Sequence, residues 1–266
     1  MYETNYHRAG SLDEAASLFA KADDPKFLGG GQTLLATMKQ RLAAPTDLID
    51  LAHIPEMHGI CENPDTIVIG ATTTHAEVAA SGIVQARLPG LAKLASGIGD
   101  PAVRHVGTIG GSIANNDPAA DYPAGLMALG ATITTNKRSL PADAFFTGMF
   151  ETALEDDEVV LSVTFPVAEK SAYAKYPNPA SRYAMAGVFV ARHGDGSVRV
   201  AVTGAGQDGV FRSAEMEAAL SANWSPDAVA EISVDAENLL ADIHGSAAYR
   251  ANLVTVMAKR AVVAAG

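Results

Sequence analysis

The chain has 266 residues, 48% hydrophobic and 18% charged, which is enough apolar content for a sizeable core and too apolar for a disordered chain. Its formal net charge is −11 and its lysines and arginines form no run, so nucleic acid is excluded as an expected partner. The single cysteine, Cys61, excludes an intrachain disulfide framework, a cysteine-based zinc site and an iron–sulfur cluster held by this chain alone, and reads as a small buried or half-buried hydrophobe.

The first residues, MYETNYHRAG, show no basic segment followed by an apolar run. No stretch approaches the roughly 18 apolar residues of a membrane helix, so the expectation is a cytoplasmic protein with no transmembrane segment. SLDEAASLFAKAD reads as a helix: Ser11 and Glu14 make a capping box, and Leu12, Ala15, Ala16 and Phe19 share a face. KFLGGGQTLL is a short strand, a triple glycine and a helix start running through LLATMKQRL. Leu48–Ile54 alternates as a strand. Thr66–Ile69 is another, leading to a helix boxed by Thr74 and Glu77, and LPGLAKLASGIG is a helix ending in glycines. After RHVGTIGGSIANNDPAADYPAG come a helix at Pro123–Leu129 and a strand at Ala131–Thr135. Phe145, Phe146 and Gly148 read as loop, and Glu158–Phe165 as strand. The composition shifts near residue 168, with Pro177 and Pro179 interrupting regular structure. Strands at Ala186–Arg192 and Ser197–Gly204 flank a GDG hairpin turn at 194–196. From Ser213 the pattern is helical, with Ser225 capping Pro226 at a first helical position and a long segment from Ser246. Strands and helices mix without a clean βαβ repeat, so the fold class is α+β.

Three glycine-rich stretches are candidate ligand loops. LGGGQT, Leu28–Thr33, lies between a strand and a helix, where glycines let backbone N–H groups converge on an anion. A tight turn would use the same residues. TIGGS, Thr108–Ser112, is the second, and two such loops suggest a pair closing on one elongated ligand such as a dinucleotide. GAGQDG, Gly204–Gly209, fits G-x-G-x-x-G after the strand VRVAVT, but VFRS intervenes before the helical pattern resumes and no parallel strand follows. It reads as a glycine-rich connection and not as a nicotinamide dinucleotide site. Asp117 and Asp121 have no histidine or third acid at metal-like spacing, so no metal site is assigned; their contexts read as turns and a helix cap, with one of the two open to contact ligand hydroxyls. There is no HExxH, GxSxG or Gly-Lys pattern, and no catalytic residue is assigned.

TIGGSIANNDPAADYP, with KFLGGGQTLL upstream and YAKYPNPASRYAMAGV downstream, resembles the FAD-binding medium subunit of the molybdenum hydroxylases, the xanthine dehydrogenase and aerobic carbon monoxide dehydrogenase family. The likeness covers essentially the whole chain and is nearest the carbon monoxide dehydrogenase type. It implies the vanillyl-alcohol-oxidase/p-cresol-methylhydroxylase-type FAD-binding fold: two α/β subdomains, 1–56 and 57–167, clasping FAD, then a C-terminal domain, 168–266, with a three-stranded antiparallel sheet and helices. It implies that Phe27, Leu28, Gly29, Gly30, Gly31, Gln32 and Thr33 wrap the pyrophosphate and adjoining groups, with Lys26 at the edge of that loop. Thr108, Gly110, Gly111, Ser112, Ala114 and Asn115 would close from the other side. Asp121 would hold polar groups of FAD, Ile98 pack on the adenine, Val160 lie near the flavin, and Tyr173 and Lys175 approach the isoalloxazine. Ser112 stands where relatives often carry Asn or Asp. Tyr183 stands where some carry an acid, and it is given no role.

The implied partners are a small iron–sulfur subunit with two [2Fe–2S] clusters and a large molybdopterin subunit, in a heterotrimer that can dimerise. The implied role is an oxidoreductase subunit relaying electrons from those clusters to quinone, NAD or oxygen. The complex would be cytoplasmic or peripheral at the inner face of the membrane. The alternative is a self-contained flavin oxidoreductase of the same fold, which needs its own acid–base residue over the flavin.

Overall fold

In the computed structural model, which describes residues 1–266, residues 5–50 form the βαβ repeat that the sequence pattern hides. β1 (Asn5–Arg8), α1 (Leu12–Phe19), β2 (Pro25–Leu28), α2 (Leu34–Lys39) and β3 (Asp47–Asp50) build a parallel sheet in the order β1-β3-β2. β1 is invisible to periodicity because its side chains are polar and it lies at an edge. Tyr6 donates to Asp50 at 2.5 Å and the His7 ring sits 2.7 Å from Asp47. The expected strand over 48–54 stops at Asp50, where Asp50 Oδ1 accepts from the Ala52 N–H and turns the chain. In α1, Ser11 accepts from the Glu14 N–H, but the Glu14 carboxylate reaches the Gly10 N–H and not that of Ser11. Ala16 is exposed, and Leu18 takes its place on the packed face.

The next segment is an antiparallel sheet ordered β4-β5-β10-β6-β7, with helices inserted between its strands. Its elements are β4 (Ile60–Glu62), β5 (Thr66–Gly70), α3 (His75–Ala80), α4 (Gly82–Arg87), α5 (Pro89–Ser96), α6 (Pro101–Arg104), α7 (Ile109–Asn115), α8 (Tyr122–Leu129), β6 (Thr132–Thr135), β7 (Ser139–Pro141), α9 (Ala142–Phe145), the hairpin β8 (Phe146–Gly148) and β9 (Glu151–Thr152), and β10 (Val160–Pro166). Cys61 is exposed, against expectation, because it lies on the edge strand β4. The Phe145–Gly148 segment is ordered helix and strand, not loop. Phe145 is fully buried edge-on to Phe146, and the Asn116 amide ties Gly148 O and Glu151 O at 2.8 Å each.

The last segment opens with β11 (Lys170–Pro177), which absorbs Pro177 at its end while Pro179 lies beyond it. β12 (Ala184–Arg192) and β13 (Val198–Thr203) complete three long antiparallel strands, and a two-residue strand, β14 (Phe211–Arg212), adds to the edge. α10 (Ala214–Ala222) and α11 (Ala247–Ala265) follow, with a 3₁₀ turn at Pro226–Val229. The sheet is covered on both sides, which is why β12 reads as a near-continuous apolar run. Val188, Val190, Val200 and Val202 face α10 and α11, while Tyr173, Phe189 and Ala201 join the core that holds α5 and α8. No helix is long and apolar enough to cross a membrane.

Candidate functional site

A cavity of about 600 Å³ lies where the loop after β2, the α5–α7 region and the β11–β12 loop meet. That is within the range of cofactor sites. β2 delivers the chain into Gly29–Thr33, and α2 starts directly after it. The backbone N–H groups of Gly29, Gly30, Gly31, Gln32 and Thr33 have no acceptor within the protein. Five successive free donors ahead of a helix make a nest for an anion. Gly31 adopts φ +68°, a left-handed turn that glycine takes without strain.

The second loop behaves differently. Gly110 donates to Ala71 O at 2.8 Å, Gly111 to Thr108 Oγ1 at 3.2 Å and Ser112 to Thr108 O at 3.0 Å. Its donors are largely used in its own helix start, so its contribution is shape. A Cβ on Gly30 would sit 2.1 Å from Val106 O and 2.6 Å from Gly107 Cα. The two loops therefore touch backbone to backbone, and the cavity wall exists only because no side chain intervenes.

Asp121, at the start of α8, is buried at the cavity's inner end. Tyr173 donates to it at 2.6 Å and the Lys175 ammonium lies 2.9 Å away. Burial pushes its carboxyl up from the usual range, opposed by Lys175 and Tyr173. Lys175 also donates to Gly97 O at 2.8 Å, tying β11 to the end of α5. Asp117 accepts from the Ala119 N–H at 2.8 Å, which is the turn-forming role expected of it, and it also lines the cavity. His75, at the start of α3, is buried in the wall. Burial, with the Arg104 guanidinium adding to it, draws its imidazole down to about 4, so the ring is neutral at pH 7.

Of the residues singled out from the sequence, Lys26 through Thr33, Ile98, Thr108, Gly111, Ser112, Ala114, Asn115 and Asp121 all line this one cavity. Gly110 does not: it is buried against Ala71. Val160 is buried in β10 and belongs to the core. Tyr173 and Lys175 stand behind Asp121 and reach the cavity through it. Sequence reasoning missed His75, Gly99, Val103, Gly107 and Ala120, and also Ser181 and Arg182 from the β11–β12 loop. Tyr183, given no role, lines the mouth and is half exposed. Gly107, directly before TIGGS, carried a signal; Arg182, non-glycine at φ +65°, carried none. GAGQDG leads into a strand and lies outside the cavity. Gly204 donates to Pro118 O at 2.8 Å, and the Gln207 amide donates to Glu237 O and Leu239 O at 3.0 and 3.1 Å.

Fold and cavity together define a dinucleotide-holding α+β protein. Residues 2–168 match the family described as the FAD binding domain in molybdopterin dehydrogenase. The chain is 37% identical to the carbon monoxide dehydrogenase medium chain of Hydrogenophaga pseudoflava, covering 98% of this chain and 96% of that one. It is 33% identical to the nicotine 6-hydroxylase medium subunit of Paenarthrobacter nicotinovorans, again over 98% and 96%. The structure of reconstituted CO dehydrogenase from Oligotropha carboxidovorans superposes with a TM-score of 0.89 at 32% identity, over 100% of this chain and 99% of that one. This chain belongs to the FAD-binding family of the molybdopterin dehydrogenases. Its residues fit FAD: the free N–H groups of Gly29–Thr33 suit a pyrophosphate, and Gly30, where a Cβ would strike the Val106–Gly107 backbone, lets the two loops close beside them.

Proposed function

We propose that the chain is the FAD-carrying medium subunit of a molybdenum hydroxylase of the carbon monoxide dehydrogenase type. The observation that carries this is the nest of five unpaired N–H groups in a chain that matches medium subunits from end to end. In this reading Lys26–Thr33 hold the pyrophosphate, with Thr108, Gly111, Ser112, Ala114 and Asn115 as the opposite wall. Ile98 packs on the adenine. Asp121, oriented by Tyr173 and Lys175, holds polar groups of the cofactor. Residues 1–56 and 57–167 act as the two halves of the clasp and 168–266 as the part that closes it. Bound FAD accepts electrons from iron–sulfur clusters and passes them to an external acceptor.

The chain's own work is to fix that cofactor without long mobile side chains and to keep its inner end dry. The partners are a small subunit with two [2Fe–2S] clusters and a large molybdopterin subunit, in a complex at the cytoplasmic side. Quinone, NAD and oxygen are the acceptors to compare. Subunit omission tests the role, with carbon monoxide, an aldehyde and an N-heterocycle as trial substrates. The complex without this chain should still oxidise its substrate with an artificial dye, yet lose reduction of the acceptor. Undiminished acceptor reduction without the chain would overturn the proposal.

A further inference from the structure

His75 is the one buried imidazole in the cavity wall, only 5% exposed. Its backbone is fully engaged. The N–H donates to Gly107 O at 2.9 Å, and Thr74 ahead of it forms a complete capping box with Glu77. The ring is held as firmly, packed 5.4 Å from the Tyr122 ring. A Cβ on Gly107 would lie 2.7 Å from His75 Nε2, so that nitrogen lies against Gly107, and both residues line the cavity. Gly107 Cα is in turn the atom that Gly30 approaches, which puts the imidazole directly behind the contact between the two glycine loops.

Neither ring nitrogen has a hydrogen-bond partner in the protein. Nδ1 is wholly buried and unpaired, whereas Nε2 is unpaired without being sealed. Arg104, the nearest cation, is occupied with Ile98 O at 2.9 Å and Gly99 O at 3.0 Å. Nδ1 is sealed, so of the two nitrogens only Nε2 can meet a ligand, and an unpaired nitrogen at a cavity wall points to a partner that the cavity receives. A leucine or phenylalanine would pack the same wall without that unmet demand, so packing alone does not account for a histidine.

We infer that His75 is a direct contact for the cofactor, with Nε2 making a hydrogen bond to the bound dinucleotide at the glycine-loop end of the cavity. This rests on the FAD reading above. It makes His75 a binding residue with no part in electron transfer.

The test uses the intact complex, stripped of FAD and titrated back while flavin fluorescence is followed. His75→Phe keeps the ring volume and removes both nitrogens. It should raise the FAD dissociation constant about tenfold, the scale of one lost hydrogen bond. The FAD-free variant should melt no lower than the FAD-free wild type, because the orphan is gone. His75→Gln, whose amide reaches the place of Nε2, should restore most of the affinity, and His75→Asn, which reaches only the place of Nδ1, should not. Wild-type affinity in His75→Phe overturns the inference, as does rescue by Asn in preference to Gln. Failure of the wild type itself to take up FAD would instead sink the cofactor reading, so the two failures are distinguishable.

Discussion

Gly30→Ala is the sharpest perturbation the cavity offers. Gly30 has no positive φ, so alanine is compatible with its backbone and the effect is purely steric. The added Cβ would sit 2.1 Å from Val106 O, where real contacts stay beyond 3.0 Å, so the loops must part by about 0.9 Å. Overpacking of this kind costs about 1–3 kcal/mol. The same displacement moves the free donors of Gly29–Thr33 off their ligand, and about 1.4 kcal/mol is one decade of affinity. The FAD dissociation constant should therefore rise at least about tenfold, with a lower melting temperature. The assay is fluorescence titration of the FAD-stripped complex, alongside thermal unfolding. Gly82→Ala is the control, since a Cβ there meets nothing within 4 Å. Wild-type affinity and melting in Gly30→Ala would refute the idea that backbone contact between the loops shapes the site.

Three further outcomes are expected. Lys175→Met leaves Asp121 buried without its cation and should destabilise the protein by about 3–5 kcal/mol in denaturant titration, with partial recovery when Asp121→Asn is added. Glu158, held by Arg138 and Thr135, titrates at about 2 in the fold against its ordinary 4.5. Its stabilisation is thus full above pH 4.5 and lost as pH falls through 2, and Glu158→Gln should flatten that part of the acid-unfolding profile. Asp208→Ala, at an exposed position of the otherwise largely buried GAGQDG loop, should leave FAD affinity unchanged and the protein without nicotinamide dinucleotide binding, as read by fluorescence titration with both cofactors.

Much of the site was legible because it is local. LGGGQT and TIGGS each announce a strand- or loop-to-helix turn, and glycine's missing Cβ is visible in one letter. Their division of labour was not legible. Which loop keeps its N–H groups free depends on whether Ala71 and Thr108 are there to take them, which is a tertiary fact. His75 hid for a similar reason: in THAE it looks like one more residue of a capped helix start. Ser181 and Arg182 hid because the β11–β12 loop reaches the cavity only once the C-terminal sheet has docked on α5 and α8. β1 was missed because an edge strand held by Tyr6 and His7 needs no apolar alternation. GAGQDG shows the converse. Its letters fit a dinucleotide motif, yet the helix that would give them meaning is absent and a short strand stands in its place.

In the proposed function electrons reach this chain only through its partners. The direct measurement is anaerobic visible spectroscopy of the flavin bands, with the hydroxylase substrate added first to the isolated chain loaded with FAD and then to the reassembled complex. The spectrum should stay oxidised in the first case and the flavin bands should bleach in the second. Bleaching by substrate in the isolated chain would contradict it.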